Sequence, residues 1–154
     1  MCDVLKEIYR KVYDEQFDYS NMDHRIKLQK AVYLLENMGL HVGDYSFSWN
    51  KYGPYSLGLD SDAQNCNTRK EQEVVFSPYA EMQFKKIRGY IEQQIVYSCV
   101  QWVECIASLH YLRHVFRYSE SNLIQELERE KSYLSNAEAN KKALAIMKEI
   151  KVGA

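Results

Sequence analysis

The chain has 154 residues, 46% of them hydrophobic and 27% charged, with a formal net charge of −1. That length suits one domain that buries roughly two thirds of the surface its unfolded form exposes, and the composition excludes a chain disordered throughout. No apolar run approaches the ~20 residues needed to span a bilayer, and the scarcity of glycine (6) and proline (2) argues against an all-β sandwich with many tight turns.

Residues 3–17 place Val4, Leu5, Ile8, Tyr9, Val12, Tyr13 and Phe17 on one helical face, with Lys6, Glu7, Arg10, Lys11 and Asp14 opposite. A second helix is predicted from a cap at Asp23. Its residues Ile26, Leu28, Ala31, Val32, Leu34, Leu35 and Met38 are apolar over more than one face, which predicts burial in the middle of the fold. Gly39 is placed to end it in a left-handed cap. Tyr45, Phe47 and Trp49 alternate with small polar residues, the period of a strand, and Glu73–Phe76 is the expected partner strand. Between them Gly53-Pro54 signals a turn and Ser56 caps a short helix through Leu57 and Leu59. Residues 60–72 are polar and aperiodic, and are expected to be a loop.

Ser77-Pro78 opens a helix to about Gln93, with serine as cap and proline at the first position. A long apolar helix is expected over about Ser98 to Phe116, and a more polar one over about Asn122 to Lys131. A last helix to Ile150 opens at a capping box, Ser135 to Glu138. The expected fold is mainly α: a single helical domain over 1–154, a compact bundle of six or seven helices with a small two-stranded β ribbon.

The search for reactive groups finds no phosphate loop and no serine elbow. His110 and His114 share a helix face at i, i+4, a spacing that suits two metal ligands, with Cys105 as the one candidate third. No glutamate stands between them in the run His-Tyr-Leu-Arg-His, and packing is the better account of Cys99 and Cys105 in an apolar helix. No metal, cofactor or catalytic set is therefore assigned. The four cysteines, Cys2, Cys66, Cys99 and Cys105, form no CxxC and follow no secretory signal, so they are expected to be free thiols in a reducing cytoplasm. Basic residues number six against eight acidic over 1–50, six against six over 51–100, and eight against seven over 101–154. No stretch has the basic surplus on which sequence-independent nucleic-acid binding draws.

One constellation stands out. Gln29, Lys30 and Tyr33 can line one side of the second helix, and Trp49, Lys51, Tyr52, Gly53, Pro54, Tyr55 and Ser56 follow in the aromatic turn. Together they predict an aromatic and basic contact surface for a protein partner.

Lys27-Leu28-Gln29-Lys30, Tyr33-Leu34 and Gly53-Pro54-Tyr55-Ser56 resemble the Panacea domain (the SocA-like antitoxins) and the related YwgA-like bacterial proteins, with the GPYS turn nearer the latter. The resemblance extends through Trp102, Glu104, Ala107-Ser108-Leu109 and the alanines of the last helix, over about residues 1–150. It implies a helical fold with a small β element. It also implies a non-enzymatic antitoxin or adaptor, often carried by a prophage or mobile element, that neutralises a protein partner or delivers it to a protease. The alternative is a DNA-binding regulator, with the ribbon as a wing tipped by Arg69-Lys70 and Arg25, Lys27 and Lys30 on a recognition helix.

Overall fold

The computed structural model describes residues 1–68 and 73–150. Among them are seven α-helices and one two-stranded antiparallel ribbon. The helices are α1 (Cys2–Tyr13), α2 (Met22–Asn37), α3 (Leu57–Gln64), α4 (Pro78–Glu92), α5 (Cys99–His114), α6 (Leu123–Glu130) and α7 (Ala137–Glu149). The strands are β1 (Ser48–Asn50) and β2 (Gly53–Tyr55), and 3₁₀ turns cover Asn65–Thr68 and Glu120–Asn122.

The core is built around α5. Every residue from Trp102 to Leu112 is buried, so this stretch of the helix has no solvent face. It packs against α2, α7, α6, α4 and β2. A reciprocal capping box starts it: Ser98 Oγ accepts from the Gln101 amide and Gln101 Oε1 from the Ser98 amide, each at 3.3 Å. The α2 helix is nearly as enclosed, with nine consecutive buried residues from Lys27 to Leu35. Asn21, not Asp23, caps it: Asn21 Oδ1 accepts from the amides of Asp23 and His24 at 2.9 and 3.3 Å. Asp23 sits inside the first turn, where its charge favours the amide end of the helix dipole. At the other end Gly39 adopts φ 95°. Its amide donates to Glu36 O and that of Leu40 to Leu35 O, at 3.1 and 3.0 Å, which closes a Schellman motif.

Four further expectations are corrected. Helix α1 ends at Tyr13 because Asp14 turns left-handed at φ 58°, although Phe17 still enters the core. Residues 60–72 are not simply a loop: Leu59, Ala63 and Cys66 fall on one buried helical face, and α3 with its 3₁₀ extension continues to Thr68. Glu73–Phe76 forms no strand. Phe76 instead packs edge-on to Phe84 at 4.8 Å, and β1 pairs with the segment just after its own turn. The register is Ser48 with Tyr55, Trp49 with Pro54 and Asn50 with Gly53. Finally Asn136, not Ser135, caps α7, its Oδ1 accepting from the Ala139 amide at 2.9 Å. Arg69 and Lys70 lie outside the described residues, as does the rest of 69–72.

The cap assignment makes a direct prediction. Asn136→Ala should destabilise the protein by about 1 kcal/mol in a urea denaturation, and Ser135→Ala by a few tenths at most. Equal losses from the two variants would reject the assignment.

Candidate functional site

A hairpin of two three-residue strands is too small to persist alone in water. Here α2 supplies what it lacks. The Gln29 carboxamide makes a two-way pair with the backbone of Ser56: Nε2 donates to Ser56 O at 2.9 Å and Oε1 accepts from the Ser56 amide at 2.8 Å. The Lys30 ammonium donates to the Pro54 carbonyl at 2.7 Å. Gln29, Lys30 and Ser56 are all buried, so these bonds face no competition from water.

Gly53 is required on two counts. It leaves the turn at φ 92°, a left-handed conformation that glycine adopts without steric cost. A Cβ there would also stand 2.5 Å from Ser108 Oγ on α5. Both helices therefore contact the hairpin, and Gly53 leaves no room for a side chain against Ser108 of α5.

The outer turn is held from below by residues that sequence inspection did not single out. Lys131, just after α6, donates to the carbonyls of Lys51 and of Asn50, the latter at 3.4 Å. It pairs with Glu104 of α5 at 3.4 Å, and its ammonium lies 4.9 Å from the Trp49 ring centre. Tyr133 donates to the Glu104 carboxylate and contacts the Lys51 carbonyl at 3.3 Å. Burial raises the Glu104 carboxyl and lowers the Lys131 ammonium, while their mutual attraction opposes both shifts. Burial also pushes the Lys30 amine down to about 7, with the Lys131 charge adding to it and Glu104 opposing. No alternation or spacing in the sequence signals Lys131 or Tyr133, because their partners are backbone carbonyls of a distant turn.

The ten residues of the expected contact surface thus divide. Tyr33 is a correction: it is internal, with its hydroxyl 2.8 Å from His110 Nδ1 and its ring edge-on to Phe47. Gly53, Pro54 and Ser56 are buried as well, because the hairpin backbone is the part that the helices hold. Gln29 and Lys30 serve the scaffold first. Trp49 is half-buried between Tyr111 and Phe116, both 5.6 Å away. Lys51, Tyr52 and Tyr55 remain at the surface. On α2, Lys27 is also enclosed: it pairs with Glu15, and its ammonium lies 4.8 Å from the Tyr13 ring. Only Arg25 of the three cations expected on a recognition helix is left partly exposed.

The surface residues meet at a cleft of about 360 Å³. One wall is the first half of α2: Met22, Arg25, Ile26 and the edges of Gln29 and Lys30. The other is the hairpin turn, with Asn50, Lys51, Tyr52 and Tyr55, and Asp60 of α3 closes one end. Asp60 is occupied by the Tyr19 hydroxyl at 3.0 Å, and the Arg25 guanidinium lies 5.0 Å from the Tyr19 ring. The cleft is thus largely apolar, with aromatic walls and fixed polar groups at its edge, the usual make-up of a binding pocket.

The candidate reactive groups lie outside the cleft. Cys105 faces α7, where its thiol contacts Asn140 Oδ1 at 3.4 Å, and burial raises it far above the range of a thiolate nucleophile. Burial, reinforced by His114, pushes His110 down to about 4, so its imidazole is neutral at pH 7. The His110 and His114 ring centres lie 4.4 Å apart with the planes tilted by 37°, but among the described residues no group of three or more His, Cys, Asp or Glu is placed to hold a metal. No described helix is long and apolar enough to cross a membrane. Comparison of the chain with protein-family models, curated proteins and solved structures finds no match.

Two predictions follow from the hairpin's attachment. Gly53→Ala should cost roughly 2–4 kcal/mol, from left-handed strain plus the clash with Ser108. Adding Ser108→Ala should recover the steric part only, so a full recovery would deny the backbone requirement. The second concerns Lys30. Its folded value of about 7 lies below the ordinary 10.5, so between these values the unfolded chain binds a proton that the native chain does not. Stability therefore rises with pH in this window, by up to ~1.4 kcal/mol per unit from this group. Lys30→Met should flatten the rise between about pH 7 and 8, where the phenols stay protonated and the thiols of the unfolded chain, ordinarily near ~8.5, are only beginning to ionise. Parallel stability–pH curves for the two proteins would show that Lys30 is not the source.

Proposed function

We propose that this chain is a non-enzymatic protein-binding module of antitoxin or adaptor type, acting in the cytoplasm by direct contact with a partner protein. The observation that carries the reading is the cleft between α2 and the hairpin turn. Its walls combine two half-exposed tyrosines with Met22, Ile26 and the cations Arg25 and Lys51, on a turn fixed by buried bonds. Tyrosine and arginine are the residue types that anchor protein interfaces, and a fixed turn loses little freedom when a partner binds. The burial of the Cys105 thiol against Asn140 supports binding over nucleophilic catalysis. The likeness of the α2 and GPYS segments to Panacea and YwgA-like proteins agrees with this role, and we propose kinship with them on those residues.

The anchors are Tyr52 and Tyr55, with Arg25 and Lys51 at the rim. Trp49 belongs to the supporting layer, since it is wedged between Tyr111 and Phe116. Capture of partners from the native host, followed by mass spectrometry, tests the assignment. A stoichiometric partner protein should be retained by the wild type and reduced at least about tenfold by Tyr52→Ala with Tyr55→Ala, a loss of ~1.4 kcal/mol or more. The double variant should keep its helical circular dichroism. Undiminished capture by a folded double variant would remove the cleft from the mechanism.

A further inference from the structure

We infer that the cleft receives the C-terminal residue of the partner chain, its apolar side chain against the aromatic walls and its terminal carboxylate at the cationic rim. The inference rests on the binding-module reading and specifies what that module grips. Three observations carry it. The first is charge: Arg25 and Lys51 border the cleft, with the buried Lys30 amine behind them, against a single carboxylate, Asp60, which already accepts from Tyr19. An apolar pocket edged by this surplus of cations is complementary to an apolar group bearing one negative charge.

The second is size. About 360 Å³ is at the low end for ligand pockets, enough for one or two residues and too little for a helix or an extended strand. Within so short a stretch, apolar body and charge are most compactly supplied by one residue, and a chain terminus does this. The third is the buried amine. The Lys30 ammonium has three hydrogens and a recorded acceptor for one, the Pro54 carbonyl. Burial within the protein depresses its basicity, so an anion bound nearby offsets part of that desolvation.

The test uses three probes against the ¹⁵N-labelled full chain, read by backbone amide shifts in NMR. N-acetyl-tryptophan carries the terminal carboxylate, N-acetyl-tryptophanamide is its neutral twin, and N-acetyl-aspartyl-tryptophanamide moves the carboxylate to a neighbouring side chain. The expected result is that N-acetyl-tryptophan shifts the amides of Arg25, Lys51, Tyr52 and Tyr55 and binds at least about tenfold tighter than either other probe. Arg25→Gln with Lys51→Gln should erase that preference while the chain stays folded.

Equal binding of acid and amide would overturn the carboxylate assignment, and preference for the aspartyl probe would overturn the terminal one. If no probe moves these amides at millimolar concentration, the inference fails. Partner capture sensitive to Tyr52→Ala and Tyr55→Ala would then still uphold the binding module. Carboxylate-selective binding without any cleft-sensitive partner would instead uphold the pocket's chemistry and reject the protein-binding role.

Discussion

The pairing of the Gln29 side chain with the Ser56 backbone is the bond on which this architecture turns. It lets an apolar helix stand against an open hairpin end without leaving amide or carbonyl groups orphaned. A buried unmet backbone group costs on the order of 1–3 kcal/mol, comparable to a sizeable share of a small domain's stability. Lys30 performs the same service for Pro54, one residue along α2 and two residues back in the hairpin. Because both donors belong to one helical turn, the hairpin's position is set by the backbone of α2. The cleft lies along the line where these two elements meet, so its shape is inherited from the core.

The second constraint is electrostatic. Lys30, Glu104 and Lys131 bring two potential cations and one carboxylate into the interior. Such groups seldom add stability over well-packed apolar residues of similar volume. Their geometry here has a different consequence. Each cation donates to hairpin carbonyls, Lys30 to Pro54 and Lys131 to Asn50 and Lys51, and Glu104 holds Lys131 in place with Tyr133. A carbonyl accepts along defined directions, so these bonds select one register of a ribbon whose three pairs alone would not. The arrangement trades solvation of three charges for a single turn conformation.

Much of the helical frame is legible in the sequence because it rests on local signals. Ser77-Pro78, Ser98 and Gly39 act where their chemistry predicts, and the all-round apolarity of α2 announces its burial. The departures share one cause, competition between nearby candidates of similar chemistry. Asn21 and Asp23 can both cap α2, as Ser135 and Asn136 can both cap α7, and which one wins depends on backbone angles at the boundary. The ribbon was misassigned because Lys51-Tyr52 is not a glycine-rich hairpin turn, whereas Glu-Val-Val-Phe reads well as a strand in isolation. The site was half legible. Polar residues on α2 read as surface, yet Gln29 and Lys30 are buried because distant backbone groups need them, a demand that no window of α2 contains.

This division of labour separates the side chains that hold the hairpin from those that the proposed binding role draws on. A side chain already bonded within the core cannot rearrange to meet a ligand without breaking what it holds. Lys51, Tyr52 and Tyr55 have no such duty to the core, while their backbone is fixed by Lys131, Gln29 and Lys30. They combine side chains outside the core with a backbone held by it, a condition under which contact energy is little eroded by ordering. Trp49 marks the boundary between the two roles: its ring closes the gap between the turn and α5, against Tyr111 and Phe116, and the Lys131 ammonium rests beside it. Loss of that ring would loosen the turn from beneath, and so would disturb binding through the position of Tyr52 and Tyr55 even if no partner ever touched the indole.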